Sequence, residues 1–125
     1  MKKIISTAAA PAAVGPYSQG VEASGATLYV SGQLPIDPAN GTMPDTVEQQ
    51  TEQALRNVEA ILSEAGYSLS DVVKSVVLLA DMNDFAAMNV VYARFYAKDM
   101  PARVCYEVGR LPMGARVEIE TIAVK

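Results

Sequence analysis

Val72-Val73-Lys74-Ser75-Val76-Val77-Leu78-Leu79-Ala80 is the stretch on which the fold turns. It is apolar at both odd and even positions, so neither face can be left to water, and it reads as an interior strand. Downstream, Asp81 or Asn83 can cap a helix whose stripe is Phe85, Met88, Tyr92 and Phe95, with Pro101 as its stop. A further strand runs from Arg103 to Val108. Strand, helix and strand in that order need a crossover and so a parallel pair within the sheet. Arg116 to Val124 alternates as a closing strand. Its Ile122 and Val124 share a face with Glu118 and Glu120.

Upstream lies the clearest helix. Asp45-Thr46-Val47-Glu48 reads as a capping box with Asp45 at the N-cap. Val47, Thr51, Ala54, Leu55, Val58, Ile61, Leu62 and Ala65 recur at three- and four-residue steps, and Gly66 stops the run. Before it, Pro35 to Pro44 is a loop around Asn40-Gly41, a turn dipeptide that also forms a formal glycosylation sequon with Thr42. Gly20 to Ala23 and Thr27 to Ser31 flank Ser24-Gly25-Ala26 and read as a hairpin. Lys3-Ile4-Ile5 is a short edge strand. The order β-β-β-α-β-α-β-β describes one α+β domain over residues 1–125: a six-stranded mixed sheet with two helices on one face. The other face needs cover, which points to a homo-oligomer with a cleft between subunits.

Composition removes whole classes of chemistry. The 125 residues contain no His and one Cys. Ser-His-Asp and Cys-His catalysis, His-ligated metals, disulfide frameworks and redox Cys pairs are therefore excluded. With 10 Lys+Arg against 14 Asp+Glu, the net charge of −4 argues against nucleic acid as a partner. No apolar run approaches the ~20 residues of a membrane helix. The start, Met1-Lys2-Lys3-Ile4-Ile5, imitates a signal peptide but lacks its apolar core, so the cytoplasm is the expected compartment. There is no Gly-Lys-Ser/Thr and no Gly-x-Gly-x-x-Gly.

Any site must then be built from Arg, carboxylates, hydroxyls, amides and backbone. Alternation puts Arg103, Cys105 and Glu107 on one face of their strand and Val104, Tyr106 and Val108 on the other. A half-buried guanidinium wants a carboxylate to fork onto. Glu118 or Glu107 could supply it within the chain, or a ligand could. Glu118 alone reads first as a surface residue, and Cys105 as a core or inert thiol. Asn89 interrupts the second helical stripe and either caps a loop or points into a cleft. Gly15-Pro16-Tyr17-Ser18-Gln19-Gly20 is a turn carrying an aromatic hydroxyl.

Six collinear blocks carry a resemblance. They are Ala10-Pro11 through Tyr17-Ser18-Gln19, Ser31-Gly32-Gln33-Leu34-Pro35, Gln50-Thr51 through Asn57-Val58, Asn89-Val90-Val91-Tyr92, Pro101-Ala102-Arg103-Val104-Cys105, and Leu111-Pro112 through Val117-Glu118-Ile119-Glu120. In order and spacing the chain resembles the RidA/YjgF reactive-intermediate deaminase family. The resemblance implies a chorismate-mutase-like fold that trimerises through its free sheet face, with sites in the clefts between subunits and neither metal nor cofactor. It implies hydrolysis of 2-imino acids such as 2-iminopropanoate and 2-iminobutanoate, released by pyridoxal-phosphate-dependent dehydratases, to 2-oxo acids and ammonia. Arg103 matches the residue that holds the substrate carboxylate, and Glu118 the residue tied to water positioning and proton transfer. Tyr17, Ser31, Gly32, Asn89 and Cys105 match cleft-lining positions. Tyr106 departs from the commoner aliphatic residue after the Cys. Two other readings stand beside it: a non-catalytic binding module for small carboxylic metabolites, and a holdase or translation-inhibiting accessory protein.

Overall fold

Six strands and two long helices build the chain, seen in a computed structural model that describes residues 1–125. The strands are β1 (Lys2–Ile5), β2 (Gly20–Ala23), β3 (Thr27–Gln33), β4 (Val72–Leu79), β5 (Ala102–Glu107) and β6 (Val117–Val124). The helices are α1 (Val47–Glu64) and α2 (Phe85–Phe95). The main sheet has the order β3-β6-β4-β5. β4 is interior, parallel to β5 and antiparallel to β6, as its two apolar faces require.

The expected hairpin does not form. β2 pairs antiparallel with β1, and β3 pairs with β6. At Gly25 the chain turns with φ +138°, and a Cβ there would lie 2.5 Å from the Lys125 carbonyl oxygen. Ala26 exchanges hydrogen bonds with Lys125 at 2.9 and 3.0 Å, so the segment leaving the turn zips onto the C-terminal strand. The six strands consequently form a four-stranded mixed sheet and a separate β1-β2 ribbon, rather than one six-stranded sheet. A single bridge between Ser18 and Ala102 joins the ribbon's lead-in to the β5 edge.

Helix α1 is capped by Thr46, whose hydroxyl accepts the Gln49 N–H at 3.1 Å, and not by Asp45. Gly66, at φ +80°, ends it, and the Tyr67 N–H donates back to the Leu62 carbonyl at 2.8 Å. Along the stripe Ile61 and Ala65 are exposed, while Gln50 is buried. Gln50 is tolerated there because its amide donates to the Pro44 carbonyl and accepts the Arg116 N–H, both at 2.8 Å. Asp81 caps a 3-10 turn, Met82–Asp84, which runs straight into α2.

Both helices cover one face. Leu55, Val58 and Leu62 of α1 and Met88 and Tyr92 of α2 meet Val77, Leu79, Val117 and Ile119 of the sheet, all fully buried. On β6 burial alternates, so Glu118, Glu120, Ile122 and Val124 share the opposite face. There they join Val76 and Leu78 of β4, and Val104 and Tyr106 of β5, by register. Nothing in the chain covers this face: Tyr29, Val104 and Tyr106 are exposed on it. No helix is long and apolar enough to cross a membrane.

Candidate active site

Two clusters hold the residues singled out from the sequence, and they lie on opposite faces of the sheet. The first is centred on Arg103. Its partner across the parallel ladder is Ser75, which is fully buried, so the Arg103 side chain rises on the helix side. Nη1 donates to Asn89 Oδ1 at 2.8 Å. Around the guanidinium stand the rings of Tyr92, Tyr17 and Phe85, with centroids 4.9, 5.6 and 5.7 Å from Cζ. Phe85, Asn89 and Tyr92 are spaced i, i+4 and i+7, so one face of α2 supplies three of these four neighbours. Tyr17 comes from the Gly15-Pro16 turn, closed by its N–H donating to the Gly15 carbonyl at 2.8 Å.

Arg103 has no carboxylate partner. The chain's two ion pairs are Arg56–Glu52 and Arg116–Asp84. Glu107 is occupied otherwise, accepting the Met82 N–H at 2.9 Å. The intramolecular ion pair offered by the sequence is thus absent, and Asn89, neutral and acceptor-bearing, takes one of the five donors. Cys105, two residues on, is half-buried with a free thiol. Burial pushes that thiol's pKa up, with Arg103 only partly opposing, so at neutral pH it is protonated and a poor nucleophile.

The second cluster surrounds Glu118. It stands opposite Leu78 on the uncovered face. Between Val30↔Thr121 and Gln33↔Ile119 the β3–β6 register slips, so Ser31 and Gly32 together oppose Glu120. Such a bulge re-aims the local backbone. At Gly32 a Cβ would overlap the Glu118 carboxylate, and only glycine admits that approach. Gly32 also borders two open depressions of about 480 and 380 Å³. One is floored by Asn57, whose amide donates to the Leu34 and Ile36 carbonyls at 3.0 and 2.9 Å and so fixes the loop after β3.

Arg103, Asn89, Tyr17 and Cys105 are therefore brought together, and Glu118, Gly32 and Ser31 are brought together apart from them. Residue-level reading missed Phe85 and Tyr92 as neighbours of Arg103, because an apolar stripe looks the same whether it meets a core or a cation. The usable signal was Asn89 lying on that stripe four residues after one ring and three before the other.

A family model described as Endoribonuclease L-PSP matches residues 7–125. The chain belongs to this family, the RidA/YjgF family. Among RidA/YjgF relatives, a Bos taurus protein named 2-iminobutanoate/2-iminopropanoate deaminase is 52% identical over 126 residues, covering 100% of this chain and 91% of its own. A Salmonella typhimurium protein of the same name is 46% identical over 128 residues, covering 100% and 99%. The crystal structure of E. coli TdcF with bound serine superposes with a TM-score of 0.77 at 44% identity, over 98% of both chains. The mixed α+β architecture is that of RidA/YjgF crystal structures.

Proposed function

We propose that this protein is a 2-imino acid deaminase, acting on small substrates such as 2-iminopropanoate and 2-iminobutanoate, as a homotrimer in the cytoplasm. The observation that carries the reading is a guanidinium fixed by three rings and Asn89 yet lacking a carboxylate. It occurs in a chain that aligns end to end with proteins named for this reaction. A planar fork with free N–H groups suits the planar carboxylate of an imino or oxo acid.

The chemistry asks little of the site. A protonated imine is already electrophilic, so orientation and one proton relay suffice. Arg103 holds the carboxylate. Water adds to C2, forming the C–O bond, and gives a proton to Glu118. Glu118 returns that proton to the nitrogen and takes the remaining proton from the C2 hydroxyl as the C2–N bond breaks, so ammonia leaves, the 2-oxo acid stays behind, and Glu118 then releases its proton to solvent. Backbone carbonyl groups near Cys105 help align the water, and the protonated thiol shapes the pocket without attacking. Tyr17, Ser31, Gly32 and Asn89 line it.

Because Arg103 and Glu118 sit on opposite faces of one chain, a complete site takes the Arg103 cluster from one subunit and the Glu118 cluster from a neighbour. The uncovered face, with Ile122, Val124, Val104 and Tyr106 on it, offers the surface for that assembly. The test is to generate the imine in place from threonine with a dehydratase and follow its decay. Acceleration by the wild type, lost in Arg103→Ala, supports the deaminase. No acceleration, with 2-oxobutanoate still binding, would leave a metabolite-binding module instead.

A further inference from the structure

One of the three rings around Arg103 is both nearer and deeper than the others. Tyr92 is fully buried, with its centroid 4.9 Å from Cζ. The attraction of a guanidinium to a ring face is stronger where water is excluded. Asn89, which takes the Nη1 hydrogen bond, lies three residues earlier on the same helix face. The Tyr92 ring is itself braced. It stacks on Tyr96 with centroids 4.8 Å apart and a 39° tilt.

Its hydroxyl enters the core among three others: Ser75 on β4, Thr121 on β6 and Tyr96 at the end of α2. Ser75 faces Thr121 across one ladder and Arg103 across the other. All four hydroxyls are buried and none has a hydrogen-bond partner of good geometry. Burial pushes the Tyr92 pKa up to about 12, with nearby Ser75 and Arg103 opposing. Buried hydroxyls are costly when unmatched, and a Phe here would avoid that cost. The cluster connects the ring under Arg103 to the centre of the sheet.

We propose that Tyr92 is a positioning residue for the carboxylate anchor: its ring holds the Arg103 guanidinium against Asn89, so that the remaining N–H groups present one fixed edge to the substrate. The proposal rests on reading Arg103 as that anchor. Tyr92→Phe keeps the ring and removes the hydroxyl, whereas Tyr92→Leu removes both. Two readouts apply: steady-state kinetics on dehydratase-generated imine, and the NMR signals of the Arg103 guanidinium protons, assigned by their loss in Arg103→Lys.

In the wild type these protons are expected to be displaced upfield by ring currents. Tyr92→Phe should keep the displacement and leave KM within roughly threefold. Tyr92→Leu should reduce it to the part owed to Tyr17 and Phe85 and raise KM roughly tenfold with kcat little changed, the scale of one desolvated cation–ring interaction. Undisplaced signals in the wild type would overturn the proposal without any variant, even where Tyr92→Leu does not fold. So would a Tyr92→Phe as impaired as Tyr92→Leu, or a folded Tyr92→Leu with normal KM. An Arg103→Ala of normal KM would instead overturn the anchor reading itself. A defective Arg103→Ala beside a normal Tyr92→Leu would remove only Tyr92.

Discussion

Arg103 and Glu118 are both half-buried charged residues on strands of one sheet, but they are held in place by different means. Arg103 is fixed by what surrounds it: a hydrogen bond from Nη1 to Asn89 and three rings within 6 Å, most of them from α2. Glu118 is instead given room by what is missing, the side chain that Gly32 does not have. The helix-covered face can build a caged cation because α2 brings its own periodic set of side chains. The uncovered face has only neighbouring strands, so its carboxylate depends on a bulge and on whatever second surface packs there.

The largest effect should come from disturbing the cage's occupant while keeping its charge. Arg103→Lys should lower kcat/KM roughly a hundredfold or more, since a point charge cannot reproduce the planar fork. Near-normal kinetics would remove Arg103 from the mechanism.

A pH titration of stability sharpens the covered side. The unfolded Tyr92 titrates near 10 and the folded one near 12, because burial disfavours its anion. Tyr96 is raised further for the same reason. A raised folded pKa contributes stability that is complete below pH 10 and lost as pH climbs towards 12. Tyr92 alone should lose about 2–3 kcal/mol across that window. Urea unfolding from pH 8 to 12 should show the fall, and Tyr92→Phe should make it shallower. A curve equally steep in the variant would mean that Tyr92 ionises freely in the fold.

The uncovered side is probed by Gly32→Ala. A methyl group there must displace the Glu118 carboxylate, which should cost roughly tenfold or more in kcat. Because Glu118 is outside the core, the same variant should unfold at nearly the wild-type temperature. Unchanged kcat would mean that the carboxylate's present position is not the working one. The smallest effect is expected at Cys105→Ser, with turnover within roughly threefold, because a protonated thiol gives way to a hydroxyl of similar shape. Abolished turnover in an intact assembly would make the thiol a participant.

How far the sequence could be read follows the same divide. β4 and α1 were legible because their signals are local: a run apolar at both odd and even positions, and a stripe closed by Gly66. The β2–β3 hairpin was misread because the deciding partner, Lys125, is a hundred residues away and no turn rule sees it. Alternation placed Arg103 and Glu118 on their faces correctly, but could not say which neighbours each would meet. Asn89 and Arg103 are brought together only by the crossover of α2 over the sheet, so their hydrogen bond was out of reach of local pattern. Thr46 displaced Asp45 as the cap by a single residue, within the usual slack of helix ends. The roles of Tyr17, Ser31 and Gly32 came from the family resemblance alone.

In the proposed deaminase a working site combines the Arg103 cluster of one chain with the Glu118 cluster of another. Arg103→Ala and Glu118→Ala chains, each inactive alone, can be unfolded together in equal amounts and reassembled. Random assortment should then pair an intact Arg103 cluster with an intact Glu118 cluster at roughly a quarter of the interfaces. About that fraction of wild-type imine hydrolysis should be recovered. Mixed assemblies that demonstrably contain both chains yet stay inactive would contradict it.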